Sequence, residues 1–402
     1  MSAKTFTSLL QTADIRLNAR HIRLGASALG ATLIAVIIAQ FALSNNLVTP
    51  LGTPVGGDFA AFWTAAKALA AGDGASIYYA PVFHDWLARI APPQESWGLS
   101  WQYPPTYYFA VAFLALLPYW LGYAVWTGGG LAIFAASTRS AGVTGLALLA
   151  ALATPAVFQT VITGQNGFLT AGLLIGATLF VDKRPVLAGI CAALLTMKPQ
   201  LGLLLPVAYI AGGHWRAFIT AGAGAMLLAG ASVAAFGFET WDAFIDSLRT
   251  VDKHIRDGLM PLYKMPTIYA TVLMAGAPLL VAQILHGIGA LCAGAATFII
   301  WWRSNDKALK SAVVCCGAFM VAPYAYYYEL TIMVAPFALL ALQSARSNDW
   351  RPFDQLMLLA LFLIPLILPG EPQRTGFNLS VVMTLLAFGF VLRRMTPAPH
   401  KQ

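Results

Sequence analysis

Long apolar runs separated by short polar stretches dominate the chain. Leu24 to Leu43 is the clearest run, and a helix that crosses about 30 Å of hydrocarbon needs about 20 mostly apolar residues. The pattern predicts twelve membrane-spanning helices, near residues 24–43, 119–138, 142–162, 167–181, 186–197, 201–212, 217–236, 279–302, 311–324, 330–342, 353–369 and 377–392. We therefore expect an all-α polytopic membrane protein, with residues 1–402 forming one integral membrane domain.

The first run can be interpreted as a secretory signal or as an uncleaved membrane anchor. Basic residues precede it, as they do in a signal peptide. The apolar part is longer than is usual for a signal, however, and no small-residue cleavage pattern follows before Ser44. We favour the anchor.

The distribution of charge predicts the orientation of the helices. Only 10% of the residues are charged, against about 25% in a soluble domain. Because Lys and Arg are retained in short cytoplasmic loops, the positive-inside rule places both termini in the cytoplasm of a cell inner membrane. On this map 16 of the 24 basic residues lie inside: Lys4, Arg16, Arg20, Arg23, Arg139, Lys183, Arg184, Arg216, Arg303, Lys307, Lys310, Arg346, Arg351, Arg393, Arg394 and Lys401.

The same distribution excludes a nucleic-acid role for the net charge of +8, because the surplus follows membrane orientation. The four cysteines lie in apolar runs, which indicates core residues rather than a disulfide framework. No metal-ligand spacing is present, and we expect neither a metal nor another cofactor. The sequence also lacks a phosphate-binding G-x-x-x-x-G-K-[ST] loop and a G-x-S-x-G nucleophile elbow.

Two regions on the outer, periplasmic side are too long to be simple connectors, namely residues 44–118 and 237–278. In the first, apolar residues between Phe59 and Ala70 have the spacing of an amphipathic helix at the membrane interface. Pro105 to Pro118 is apolar but short, which predicts a segment that enters the membrane part way. Because the other loops are short, we expect the functional site in these two regions.

Asp58 is the strongest catalytic candidate. It follows Gly56 and Gly57 just after the first predicted helix, where two glycines permit a tight turn. A carboxylate at this place can act as a general base or as a helix N-cap, and the two roles are compatible.

Polar residues beside apolar runs form a second group of candidates. Gln102 and Tyr103 lie in an aromatic stretch that suits sugar packing or a membrane belt. Gln165 and Asn166 occupy a glycine-flanked turn, where two amides can bind the hydroxyls of a polyhydroxy substrate or simply form the turn.

Charged candidates follow further along the chain. Lys198 interrupts an apolar run, so it is either a site for an anion such as a phosphate or a snorkelling anchor. The second outer loop carries mixed charges that can bind a donor phosphate or only be solvated, among them His254, Arg256 and Lys264. Tyr328 and Glu329 stand at a predicted helix start, as substrate-binding residues or as a terminus favoured by the helix dipole.

Four motifs occur in an order that resembles glycosyltransferase family 87. They are Gly57-Asp58-Phe59 with Phe62-Trp63, Tyr103-Pro104-Pro105, Gly164-Gln165-Asn166-Gly167 and Lys198-Pro199-Gln200. The family belongs to the C-type membrane glycosyltransferases and includes polyprenyl-phosphate-mannose-dependent phosphatidylinositol-mannoside mannosyltransferases. The chain departs from the mannoside enzymes near Tyr326 to Glu329, where a histidine is expected and tyrosines stand.

The resemblance implies an inverting transfer of a sugar, mannose or another hexose or pentose, from a polyprenyl-phosphate donor to a lipid or glycan acceptor outside the membrane. Asp58 matches the family's catalytic aspartate. The alternative is a transporter or flippase of lipid-linked sugars. Such a protein needs access from both faces, whereas the large loops and unusual polar residues of this chain are predicted on one side.

Overall fold

The computed structural model of the chain describes residues 19–45, 47–50, 52–89, 99–256, 261–366, 378 and 380–395, excluding the side chains of 250–256. In these ranges all regular secondary structure is helical, and the extended pairing consists of two isolated bridges near Val48. The predicted all-α class is therefore confirmed.

The described first half of the fold consists of helices that range from 4 to 24 residues in length. They are α1 (Ala19–Ala42), α2 (Phe59–Ala70), α3 (Ala80–Ala88), α4 (Tyr108–Val111), α5 (Tyr119–Ser140), α6 (Gly145–Leu152), α7 (Pro155–Thr163), α8 (Gly167–Leu179) and α9 (Pro185–Leu195). Single 3₁₀ turns occur at Ser76–Tyr78, Pro105–Tyr107, Ala112–Leu116 and Pro199–Leu201.

The second half contains the longest helix of the described residues. Its elements are α10 (Leu205–Ala211), α11 (Trp215–Phe236), α12 (Phe238–Arg256), α13 (Ile268–Met274), α14 (Leu279–Arg303), α15 (Lys307–Val321), α16 (Thr331–Ser347), α17 (Asp354–Leu363) and α18 (Ser380–Arg393). Further 3₁₀ turns lie at Leu262–Lys264, Tyr327–Leu330 and Ile364–Leu366.

Four helical segments of the described chain are long and apolar enough to cross a membrane: Ala19–Ala42, Trp215–Phe236, Leu279–Arg303 and Tyr327–Ser347. A fifth is added if the bent pair α6 and α7 counts as one span. Shorter apolar helices occupy other predicted spans. The protein is thus a helical membrane protein, while the twelve-span map and the orientation of its loops stay predictions.

The predicted span at 142–162 is a broken helix. Helices α6 and α7 meet at an angle of 47°, because Thr154 caps α7 and Pro155 occupies its first position. The Thr154 hydroxyl accepts a hydrogen bond from the Val157 backbone N–H. Proline is favoured at a helix start, where its missing N–H needs no partner. Hydropathy alone does not reveal this break, since both halves are apolar.

Helix α8 is the centre of the larger core. Every residue of α8 except Leu169 is buried, and the surrounding core draws on α9, α14, α15, α16 and α18. The hydroxyl of Thr178 is paired with that of Ser311, so a buried polar group of α8 has a partner. By contrast, Met226, Leu227 and Leu291 are each more than 70% exposed. Apolar side chains exposed in this way are expected where helices face lipid.

A second core surrounds α2 and is rich in aromatic rings, including those of Phe59, Phe62 and Trp101. The sequence correctly predicts the helix, but eight of its twelve residues are buried, which is more than a helix lying on a membrane surface requires. Lys67 Nζ donates a hydrogen bond to the Ala115 carbonyl at 2.7 Å, and Trp63 Nε1 donates one to the Leu117 carbonyl at 3.1 Å. Helix α2 therefore packs against the short segment predicted to enter the membrane part way.

We expect Gly189→Ala to lower the thermal unfolding temperature of the protein in detergent. A Cβ at Gly189 of α9 would lie 2.5 Å from Thr220 Cβ and 2.6 Å from the Ala217 carbonyl oxygen, so α9 and α11 would have to separate. The matched control is Gly222→Ala on α11, where a Cβ meets no heavy atom within 4 Å. Equal unfolding temperatures for the two variants would contradict this packing.

Candidate functional site

The turn before α2 presents the Asp58 side chain to a cavity. Gly56 and Gly57 have φ values of +78° and +51°, in the region that favours glycine. Asp58 stands at the N-cap position of α2, but its side chain makes no capping hydrogen bond. The carboxylate is therefore available to other partners.

Glycines bring three distant segments together around Asp58. Gly164 ends α7 with φ +57°, and a Cβ there would lie 2.6 Å from the Gly56 carbonyl oxygen. A Cβ at Gly167 would lie 2.7 Å from the Tyr328 carbonyl oxygen. Only residues without a side chain allow both approaches, so the turn between α7 and α8 contacts both the Asp58 turn and the start of α16.

Gln165 links this turn to the carboxylate. Its Nε2 donates a hydrogen bond to Asp58 Oδ2 at 2.7 Å, while its Oε1 accepts from the Asn166 backbone N–H at 3.1 Å and from the Tyr103 hydroxyl at 3.3 Å. In the described part of the chain, Asp58 Oδ1 accepts no hydrogen bond. One carboxylate oxygen is thus held and the other is available.

Lys198 and Glu329 form a buried ion pair close to the amides. Lys198 is 4% exposed and Glu329 is fully buried. Lys198 Nζ also donates to Asn166 Oδ1 at 2.9 Å and lies 5.2 Å from the centre of the Tyr328 ring. Glu329 Oε2 has no hydrogen-bond partner among the described residues. The lysine is therefore not a snorkelling anchor, and its anionic partner within the protein is Glu329.

A cavity of about 970 Å³ joins these groups. Its lining includes most of the sequence candidates and several further aromatic residues: Asp58, Gln102, Tyr103, Gln165, Lys198, Gln200, Tyr263, Lys264, Tyr326, Tyr327, Tyr328 and Glu329. Asn166 lies behind this wall. It is 1% exposed and bonds to Lys198 and, through Nδ2, to the Tyr107 hydroxyl at 2.8 Å.

A second, apolar cavity of about 390 Å³ lies on the other side of the amide pair. Gln165 and Met197 line both cavities. Asn166 also lines the smaller one, and the rest of its wall is almost entirely apolar, with Phe109, Ala110, Phe113, Val125, Trp126, Gly129, Gly130, Ile133, Phe168, Leu169, Leu194 and Leu228. The polar site is therefore adjacent to a space that suits an aliphatic chain.

Burial raises the pKa of the Asp58 carboxyl above its ordinary value, because the charged form loses water. The hydrogen bond from Gln165 and the charges of Lys264 and Lys198 oppose this effect. Burial also raises the pKa of Tyr103, and the Asp58 and Glu329 carboxylates act in the same direction. The Tyr103 hydroxyl therefore keeps its proton and can donate it in a hydrogen bond.

The structure brings together nine of the eleven sequence candidates. His254 and Arg256 fall in the last turns of α12, but their side chains lie outside the described residues. Among described residues there is no group of three or more His, Cys, Asp or Glu that suits a metal ion. The sequence did not indicate Tyr263 as a lining residue or Tyr107 as the partner of Asn166. Tyr107 had no helical signal, because Pro104 is extended and the 3₁₀ turn begins only at Pro105, although the Tyr103 ring stacks on that of Tyr107 at 4.3 Å.

Comparison with known proteins gives a family match. The model of glycosyltransferase family 87 matches residues 101–323, more than half of the chain. The matched range contains Tyr103, Gln165, Asn166 and Lys198, whereas Asp58 and Glu329 lie outside it. No curated protein and no solved structure matches the chain.

We expect Asp58→Asn to stabilise the folded protein at pH 8. Since the pKa of Asp58 is higher in the folded protein than in the unfolded chain, its ionisation opposes folding at pH values above the unfolded pKa of about 3.9. Asparagine cannot ionise and can still accept the bond from Gln165. Unfolding temperatures in detergent should therefore differ at pH 8 and converge as the pH falls towards 4.

The control for this prediction is Asp246→Asn, which changes an exposed carboxylate on α12. Its unfolding temperature should not gain in the same pH-dependent way. An Asp58→Asn protein that unfolds at or below the wild-type temperature at pH 8 would contradict the claim that the ionised Asp58 carboxylate destabilises the fold.

Proposed function

The chain belongs to glycosyltransferase family 87, and we propose that it is an inverting enzyme that uses a polyprenyl-phosphate sugar as donor. The sugar is mannose or another hexose or pentose, and the acceptor is a hydroxyl group of a lipid or glycan. The reaction takes place at the periplasmic face of the inner membrane, on the twelve-span map with both termini in the cytoplasm. The observation that carries this proposal is the held carboxylate of Asp58 on a large cavity.

Asp58 acts as the general base. The acceptor hydroxyl gives its proton to Asp58 while its oxygen attacks the anomeric carbon from the side opposite the phosphate. The bond between the anomeric carbon and the phosphate oxygen breaks, and the electron pair leaves with polyprenyl phosphate. A pKa raised by burial suits this role, because a stronger base takes a proton from an alcohol more readily.

Lys264 stabilises the leaving phosphate. It lines the cavity, and among the described residues it forms no ion pair. Lys198 is less suited because Glu329 already neutralises it inside the protein. His254 and Arg256 belong to the same outer region as Lys264 and are further candidates for this contact. Cationic groups are needed here because the departing phosphate is an anion.

The apolar cavity beside Gln165 receives the polyprenyl tail. Its wall of Phe, Leu, Ile and Val side chains offers no charged group, and it adjoins the polar cavity at Gln165 and Met197. A donor with an aliphatic chain and a phosphate-linked sugar matches this division. A water-soluble nucleotide sugar has no aliphatic chain that would fill the apolar cavity.

Sugar and acceptor hydroxyls contact Gln102, Tyr103, Tyr328 and Glu329. Glu329 Oε2 is a buried oxygen without a hydrogen-bond partner in the described chain, and a substrate hydroxyl would satisfy it. Gln165 and Asn166 complete this wall, Gln165 at the cavity surface and Asn166 behind it.

A transfer assay separates this proposal from the alternative of a transporter or flippase. Purified protein is incubated with radiolabelled polyprenyl-phosphate sugars and an extract of membrane lipids or glycans, and the product's anomeric configuration is determined. An enzyme yields a labelled product with inverted configuration. A flippase yields no product but moves the labelled lipid across the bilayer of a reconstituted vesicle.

Asp58→Asn should reduce the rate of transfer by about 10²–10⁴-fold, the usual contribution of a general base. The matched control is Asp73→Asn in the same outer region, where the carboxylate instead accepts a hydrogen bond from Trp86 Nε1 at 3.0 Å. Near-normal turnover by a folded Asp58→Asn protein would remove Asp58 from the mechanism.

Lys264→Met should lower kcat/KM for the donor by about 10–100-fold, because the phosphate loses a charge contact in the bound and transition states. Lys264→Arg keeps the charge and should recover most of this loss. Inhibition by free polyprenyl phosphate should weaken in parallel. If Lys264→Met binds polyprenyl phosphate as tightly as wild type, the phosphate is held elsewhere.

A further inference from the structure

A directional chain of hydrogen bonds begins at Lys198. An ammonium group has donors and no acceptor, so the atom of Asn166 that faces it at 2.9 Å must be the amide oxygen. The amide nitrogen of Asn166 then points to two hydroxyl groups, at 2.8 Å from Tyr107 and 3.4 Å from Tyr103. The charge of Lys198 therefore fixes which way the Asn166 amide is turned.

The same direction continues to the carboxylate. The Tyr103 hydroxyl accepts from Asn166, and it donates its single hydrogen to Gln165 Oε1 at 3.3 Å. Gln165 must then present its amide nitrogen to Asp58 Oδ2, at 2.7 Å. The backbone N–H of Asn166 reinforces this orientation from the other side of Gln165 Oε1.

The ion pair with Glu329 holds Lys198 at the start of this chain of hydrogen bonds. The pair is almost completely buried, so the ammonium group has no water to compensate it if Glu329 is removed. Glu329 also balances the charge of Lys198 close to the carboxylate of Asp58. A neutral pair allows Lys198 to direct the hydrogen bonds without attracting the donor phosphate.

We propose that Lys198 and Glu329 are a positioning pair, which orients Asn166, Tyr103 and Gln165 so that Asp58 Oδ2 is always held and Oδ1 receives the proton. This inference rests on the proposed role of Asp58 as base. It separates the two lysines of the cavity by function: Lys198 positions the base, and Lys264 faces the substrate.

The pKa of Asp58 reports whether the chain of hydrogen bonds from Lys198 is intact. The charged and titratable groups that face Asp58 are the ammonium groups of Lys198 and Lys264 and the phenols of Tyr103, Tyr326, Tyr327 and Tyr328. Infrared difference spectroscopy follows the carboxyl C=O stretch of Asp58 against pH, and its absence in Asp58→Asn assigns the band. The readout needs no substrate.

Two variants should move this titration in opposite directions. Glu329→Gln retains an amide oxygen that can accept a hydrogen bond from Lys198 but leaves the ammonium charge unbalanced, so the pKa of Asp58 should fall by about 0.5–1 unit. Lys198→Met with Glu329→Gln removes both charges and leaves no unpaired buried ion, which favours folding. It also removes the group that orients the Asn166 amide, which weakens the hold of Tyr103 on Gln165, so the pKa of Asp58 should rise by about 0.5–1 unit.

Transfer kinetics give the second measurement. The double variant should lose at least about 10-fold in kcat, while inhibition by free polyprenyl phosphate stays within about 3-fold of wild type, since the base is misplaced, the phosphate site is intact and this inhibitor carries no sugar to contact Glu329. Adding Tyr103→Phe to the double variant should lower kcat less than the same change does in wild type, because only the substrate contact of Tyr103 is then left to lose. The matched control is Tyr107→Phe, which removes a side branch at Asn166 and should retain kcat within about 2-fold.

Three results would overturn the inference. They are an unchanged Asp58 titration in both variants, fully additive losses with Tyr103→Phe, or a large loss of inhibition by free polyprenyl phosphate, which would make Lys198 a phosphate ligand. The proposed function fails separately, if wild-type protein transfers no sugar or if Asp58→Asn retains turnover.

Discussion

One hydrogen bond, from Gln165 Nε2 to Asp58 Oδ2, joins the turn before α2 to the break between α7 and α8. It depends on glycines, because a side chain at Gly164 would meet the Gly56 carbonyl and the two turns would separate. Proline and glycine also set the two ends of α7, because Pro155 occupies its first position and Gly164 ends it. A continuous helix through this region would carry Gln165 away from the carboxylate.

The pairing of charges determines which residues of the cavity remain available for the reaction. Two carboxylates and two ammonium groups line it. One of each, Glu329 and Lys198, form a buried ion pair. Burial of ions is costly unless they are paired, which explains why that pair is the more deeply buried. Asp58 and Lys264 are left for chemistry, one as a base and the other as a charge for a departing anion. Apolar space lies beside this polar centre and accommodates the part of the donor that water would not solvate.

The sequence predicted the individual polar residues of the site better than their contacts. Lys198 interrupts an apolar run, which is costly enough in a membrane protein to mark it, and Asp58 and Gln165 are marked by neighbouring glycines in turns beside apolar runs. Their partners lie far along the chain: Glu329 pairs with Lys198 across 131 positions, and no local period specifies such a pairing. Tyr107 belongs to the aromatic stretch that the sequence singles out, but no partner was predicted for it, because aromatic residues near an interface are common. The sequence did not predict how deeply α2 is buried, since its alanines suit either a core or a surface.

A structure of the Asp58→Asn protein with a polyprenyl-phosphate sugar and an acceptor tests the central claim most directly. The distance to measure runs from the former Oδ1 position of residue 58 to the acceptor hydroxyl oxygen. We expect about 2.6–3.2 Å, hydrogen-bond reach for a base, with the phosphate on the far side of the anomeric carbon. An acceptor hydroxyl that contacts another group, or a sugar bound outside this cavity, would contradict Asp58 as the base.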